Sequence, residues 1–324
     1  METKNEGEDR SLLRKFCSDR HIKSLLSLPL FFLCWIAFHG AAAQSLDSVT
    51  RRDITFSSEG ILLAGILFSP PQPQAAIVLV HGSGQEKRMT RFAENLAARG
   101  IAVLTYDKRG VGASGGTYAG PEVGTNNVDS ANLSLLAKDA SAAVNKLHDV
   151  AEDLPIGLVG SSQAGWIIPI AATLNPSVDF MVLFSGPTIT SLEQLRFQFH
   201  TNGDPNYWEN HSEAEAREHI KNDPDRFQFS TTDPKNSLSK LAIPGIWLYG
   251  AKDIQVPVQL CIEQLTTLKS QGKPFDYHLY SNLGHNTASS NDETPVEDAM
   301  LWIKQNVLEY KKSRKSNKDS YPKH

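Results

Sequence analysis

The sequence predicts an α/β protein built on a mostly parallel sheet with helices on both faces. Two patterns carry this. Short apolar runs such as 75–80 and 101–106 show no alternation, as expected of strands covered on both sides. Between them run stripes at helical spacing, such as Leu136, Ala140, Ala143, Val144, Leu147 and Ala151. With 324 residues, 40% hydrophobic and 21% charged, the chain can bury a substantial core. Its formal net charge of -4 gives no electrostatic case for nucleic acid.

Taken in order, residues 25–38 form an uncharged apolar run of 14 residues, short for a membrane span and suited to a signal-peptide core. Arg14, Lys15, Arg20 and Lys23 flank it, and Ala41, Ala42 and Ala43 offer a small-residue cleavage site. The acidic start, with Glu2, Glu6, Glu8 and Asp9, makes the leader unusually long. A start further in and an uncleaved anchor both stay open. Either way the leader, 1–43, is expected to export the domain at 44–310, to periplasm or exterior, with membrane contact only if it is uncleaved. Without it Cys261 is the single cysteine, so no intramolecular disulfide can form. In its apolar setting Cys261 reads as helix packing.

Residues 53–57 and 61–68 read as a hairpin turning at Ser58, Glu59 and Gly60. The proline-rich 69–73 breaks the pattern. A strand at 75–80 then leads into His81-Gly82-Ser83-Gly84, and a helix carrying Phe92 and Leu96 stops at Gly100. Strands are expected at 101–106, 156–159, 180–184, 245–249 and 275–280. Val258, Ile262, Leu265 and Leu268 mark a helix that Gly272 ends. The last helix is expected to open with a capping box, Thr294 as cap, Pro295 first and Glu297 third, and to bury Val296, Met300, Ile303 and Val307. About 55 residues between Pro187 and Leu241 interrupt the alternation, with Phe197, Phe199, Tyr207, Trp208 and Phe227 scattered among charges and a helical piece at 212–221. A loop this long suggests a lid, at about 188–242. The polar, basic 311–324 lacks apolar periodicity and reads as a disordered tail.

The chemistry centres on Gly160-Ser161-Ser162-Gln163-Ala164-Gly165, where an apolar strand stops at a glycine before a helical stretch. This is the pattern of a nucleophile elbow. Making Ser161 the nucleophile would put Val159 and Gln163 where strand and helix need small residues, so the register selects Ser162. A serine hydroxyl needs a base, and the base needs an acid to hold its tautomer. Asp253 and His285 each lie just past a strand, on the sheet edge where such loops converge.

The order Ser162, Asp253, His285, with His81 to Gly84, the Tyr106 to Ser114 stretch, the elbow, Pro257 and Gly284, resembles the α/β-hydrolases, in particular exported esterase-like members with an inserted lid. The likeness runs from roughly Ile61 to Leu308. It implies an eight-stranded-type sheet and a serine hydrolase cleaving small-molecule carboxylic esters through an acyl-enzyme, with no cofactor. It also implies an oxyanion hole from the amides of Ser83 and Gln163. A peptidase or amidase on the same scaffold, and a binding protein that has lost the chemistry, stay open.

Other residues invite blander readings. His278 sits within a strand and reads as structural; Asp107 and Arg109 read as braces for the loop after theirs. Residues 110–115 spell G-x-G-x-x-G, but the glycine-rich residues that follow cannot open a phosphate-binding helix, and Asp129 lies in a loop. His200, His211 and His219 lack metal-ligand spacing. Asn132 and Asn210 head Asn-x-Ser sequons, relevant only in a eukaryotic source.

Overall fold

A computed structural model describes residues 49–120, 125–223 and 229–309. The expected leader, Cys17, Cys34, Phe227 and the basic tail lie outside them. The strands are β1 (Thr50–Ser58), β2 (Ile61–Ser69), β3 (Ala75–Val80), β4 (Ile101–Tyr106), β5 (Ile156–Ser161), β6 (Phe180–Phe184), β7 (Gly245–Gly250) and β8 (Phe275–Tyr280). They form one sheet in the order β1-β2-β4-β3-β5-β6-β7-β8. β2 runs antiparallel to both its neighbours and every other pairing is parallel. Glu59 and Gly60, both at positive φ, make the tight β1–β2 turn whose twist suits a hairpin.

Among the described residues the helices are α1 (Thr90–Ala98), α2 (Thr125–Val128), α3 (Ser130–His148), α4 (Ala164–Leu174), α5 (Ser191–Thr201), α6 (Tyr207–Asn210), α7 (Glu213–Asn222), α8 (Lys235–Leu238), α9 (Val258–Ser270) and α10 (Thr294–Ile303). The central strands explain their placement. Along β3, Ala76, Val78 and Val80 enter one apolar core with α3, α4 and α9, while Ala75, Ile77 and Leu79 enter the other with α1 and α10. Burying each large aliphatic side chain contributes about 1.5–3 kcal/mol, so a strand apolar at every position is stable only between two helix layers. At the edge, β8 buries Phe275 alone.

Two expectations need correction. α3 ends at His148 and Ala151 lies beyond it: the amides of Asp149 and Val150 turn back to Asn145 and Leu147 and close the helix. The capping box at Thr294 does not form. Asp292 Oδ1 accepts from both the Thr294 amide and its hydroxyl, Glu293 becomes the cap, and the Glu297 amide bonds the Glu293 carbonyl instead. The chain continues as one π-helical turn, Lys304–Leu308, which keeps Val307 buried.

Between β6 and β7 lie α5 to α8. Capping boxes fix two of them: Thr190 with Glu193 opens α5 and Ser212 with Glu215 opens α7. The second matches the helical piece expected near 212–221; the Thr-x-x-Glu before α5 is a legible signal that the sequence reading passed over. Phe197, Tyr207, Ala216 and Ile220 form a small core here, with Trp208, Ile254 and Leu260 packed against it.

The glycine-rich loop after β4 is built around Asp107, not around a phosphate. The Asp107 carboxylate accepts from the Arg88 guanidinium and amide and from the Ala113 amide. Gly112, at φ +59, lies where a Cβ would come within 2.5 Å of Asp107 Oδ2, so only glycine fits. Arg109 reaches further than its own loop, pairing with Asp139 of α3 in the interior. Burial alone would raise the Asp107 carboxyl, but the Arg88 and Ala113 hydrogen bonds overcome this and hold it at about 2. A carboxyl held below its ordinary 3.8 stabilises the fold above that pH and loses the contribution as pH falls through its folded value. Asp107→Asn should therefore cost about 2 kcal/mol in urea unfolding at neutral pH. The difference should shrink as pH falls from about 4 toward 2; a difference independent of pH contradicts this account.

Candidate active site

Ser161 ends β5 in register with Phe184, whereas Ser162 occupies the turn into α4 at φ +53. A serine in the left-handed region costs about 1–3 kcal/mol and persists only where its surroundings impose it. The impositions are visible. The Ser162 amide donates to the Phe184 carbonyl at 3.0 Å, and its own carbonyl accepts from the Gly165 amide at 2.8 Å. A Cβ on Gly160 would lie 2.5 Å from the Val80 carbonyl oxygen and 2.6 Å from Ala164 Cβ. The turn thus needs glycine at position 160 and accepts the extra methyl at position 164.

His285 and Asp253 meet past the ends of β8 and β7. His285 Nδ1 bonds Asp253 Oδ2 at 2.8 Å, and the Asp253 side chain is fully shielded from solvent. Asp253 Oδ1 accepts from the amides of Gln255 at 2.7 Å and Val256 at 2.9 Å, which fixes the carboxylate from its own loop. The two loops are also tied together, Lys252 N to Leu283 O at 2.9 Å. Thr287 anchors the histidine loop by donating to the Leu248 carbonyl and meeting Ser185 Oγ at 3.0 Å. An acceptor for Nδ1–H leaves Nε2 of a neutral imidazole free to take a proton.

Ser83, Ser161, Ser162 and His285 line one cavity of about 270 Å³. Gly82 lies against the elbow, since a Cβ there would be 3.6 Å from Ser162 Cβ. Gln163 does not line the cavity; its buried side chain bonds Asn127 and Lys108. His81 is buried with Nε2 2.6 Å from the Tyr106 carbonyl, and burial, then Lys108 nearby, pushes it down to about 3. It therefore stays neutral and donates to Tyr106. α5 contributes Gln194, Leu195 and Gln198 to the cavity wall.

The residues that sequence reasoning missed hold the acid from outside. Trp208 Nε1 donates to the Asp253 carbonyl at 2.8 Å, Thr201 Oγ1 to the Ile254 carbonyl and Gln194 Nε2 to the Gln255 carbonyl. Only the aromatic content of the segment hinted at this. Elsewhere, His278 pairs with Asp298 on the exposed edge strand, Asp129 caps α3, and the Cys261 thiol is buried and pushed up to about 12 by that burial. His200, His211 and His219 gather between α5 and the α6–α7 stretch, and burial first, then the other two rings, pushes His200 down. Among the described residues no group of three potential ligands has metal-holding geometry, and no helix is long and apolar enough to cross a membrane. Trp208→Phe keeps the ring packing and removes the bond to Asp253. Amide exchange at Gln255 and Val256 should rise about fivefold, the worth of one hydrogen bond; unchanged exchange would mean that the insertion does not brace this loop.

Residues 71–202 match the serine aminopeptidase family S33. Solved structures with the same fold include an esterase from Pyrococcus furiosus, with TM-score 0.58 and 19% identity over 80% of this chain and 92% of that one. An acylaminoacyl peptidase from Pyrococcus horikoshii matches with TM-score 0.58 and 15% identity over 81% of this chain, which spans 42% of that chain's length. An acetyl xylan esterase from Paenibacillus matches with TM-score 0.54 and 18% identity over 81% of this chain and 85% of that one. No match is found among curated protein sequences. With its sheet order, its strained turn after β5 and these likenesses together, the chain has the α/β-hydrolase fold.

Proposed function

We propose that the chain is a serine hydrolase that cleaves carboxylic esters through Ser162, His285 and Asp253. The observation that carries the reading is the 2.8 Å His285–Asp253 bond opening onto the cavity that Ser162 lines. His285 Nε2 takes the Ser162 proton as Oγ attacks the ester carbonyl carbon. The tetrahedral intermediate collapses, the C–O bond to the alcohol breaks, and His285 returns the proton to the departing oxygen. Water, deprotonated by the same imidazole, then attacks the acyl-enzyme and frees the acid and Ser162. Asp253 keeps Nδ1 protonated and stabilises the imidazolium. The amides of Ser83 and Gln163 serve the oxyanion, each such donor being worth roughly a hundredfold in rate.

The cavity is small and has Gln194, Gln198, Gln255, Asn286 and Ser289 among its walls, which favours short, polar esters over long acyl chains. The insertion at 188–242 acts as its lid, supported by the α5 residues that line it. Export by the 1–43 leader belongs to the same reading, and sequencing the amino end of the secreted product checks it.

A second reading is aminoacyl amide hydrolysis. It is favoured by the aminopeptidase family matched over 71–202. Parallel rates on p-nitrophenyl acetate and an aminoacyl p-nitroanilide separate the two. The ester should be turned over faster, and Ser162→Ala and His285→Ala should each remove about 10³-fold or more of kcat. Ester turnover that is equal in parent and Ser162→Ala would overturn the reading. An inert parent protein would support a binding function on this scaffold.

A further inference from the structure

We propose that Lys108 is a positioning residue that sets the oxyanion-binding amides, an inference that rests on the serine hydrolase reading above. Lys108 lies two residues past β4 and is 2% exposed. Burying an ammonium is costly unless its bonds are satisfied, so its partners indicate what it is buried for. Nζ donates to the Gly82 carbonyl at 2.6 Å, the Gly84 carbonyl at 3.0 Å and Gln163 Oε1 at 3.2 Å. Those partners flank or belong to the two residues, Ser83 and Gln163, whose amides the reaction would use.

The peptide unit makes the link physical. In a planar trans peptide the carbonyl and the following N–H point in opposite directions. With the Gly82 oxygen turned inward to Lys108, the Ser83 N–H is turned away from the ammonium, and Ser83 lines the cavity. Among the described residues neither the Ser83 amide nor the Gln163 amide donates to any acceptor. Glycines on both sides of Ser83 leave the peptide free to flip at little steric cost, so the loop does not hold this orientation by itself. At Gln163 the side chain is clamped twice, Oε1 by Lys108 and Nε2 by Asn127, while the main-chain amide stays uncommitted next to the nucleophile. The ammonium also places a positive charge behind both donors, where it favours the negative oxygen of the intermediate.

The test compares Lys108→Met, near in size without donors, and Lys108→Gln, which keeps donors without charge, with the parent on p-nitrophenyl acetate. Binding of an alkyl boronic acid, which forms a tetrahedral adduct on serine, is measured in each. In Lys108→Met, kcat should fall about a hundredfold and boronate affinity should weaken in parallel, while KM and Tm change little. Lys108→Gln should fall between the two. Either variant, if folded, keeping kcat and boronate affinity within threefold of the parent overturns the proposal. So does equal weakening of KM and boronate affinity, or failure of both variants to fold, since the lysine would then serve the fold alone. Should only Lys108→Met fail to fold, Lys108→Gln decides. Ester turnover that does not depend on Ser162 in the parent would instead sink the hydrolase reading.

Discussion

The site depends on one backbone constraint: Ser162 is held in the left-handed region at the end of a central strand. Nothing in a serine favours that conformation, so the energy must come from the packing around it. The sheet supplies it. β5 lies between β3 and β6, and the Phe184 carbonyl of β6 takes the Ser162 amide. The close approach of α4 over Gly160 leaves the chain no room to relax. A turn so confined presents one side chain at the carboxyl edge of the sheet, and on the proposed reading that side chain supplies the nucleophile.

Around this fixed point the other groups are set by progressively longer-range contacts. The acid loop is organised first by its own amides, through the two bonds to Asp253 Oδ1. The histidine loop is then tied to it and to the β7 end through Thr287 and Leu283. The insertion closes the assembly by donating three side-chain hydrogen bonds to three consecutive carbonyls, Asp253 to Gln255. One segment therefore both walls the cavity and braces the loop that carries Asp253. On the opposite side the loop after β4 has the same double character, with Asp107 closing the loop and Lys108 reaching the elbow.

The sheet was legible because parallel strands buried on both faces must be apolar throughout, as at 75–80 and 101–106. The placement of Ser162, Asp253 and His285 was legible because each follows a strand, the first two a buried one and His285 the exposed edge strand β8, and the topology sends those chain ends to one edge. What escaped the sequence was long-range or competitive. Thr294 looked like a cap, but Asp292 two residues earlier captured its hydroxyl. Lys108 drew no reading of its own, since Gly84, Gly82 and Gln163, which it bonds, lie 24, 26 and 55 positions away. Trp208 looked like a stray aromatic because the carbonyl it bonds is 45 positions downstream. Residue type announces capability, while only the fold decides which capability is used.

The central claim is that this strained turn makes Ser162 a nucleophile. Peptide mass spectrometry after reaction with a fluorophosphonate tests it most directly, by locating the adduct. The account predicts a single adduct on Ser162 that disappears when His285 is replaced by alanine. An adduct on Ser161, or equal labelling without His285, would contradict it.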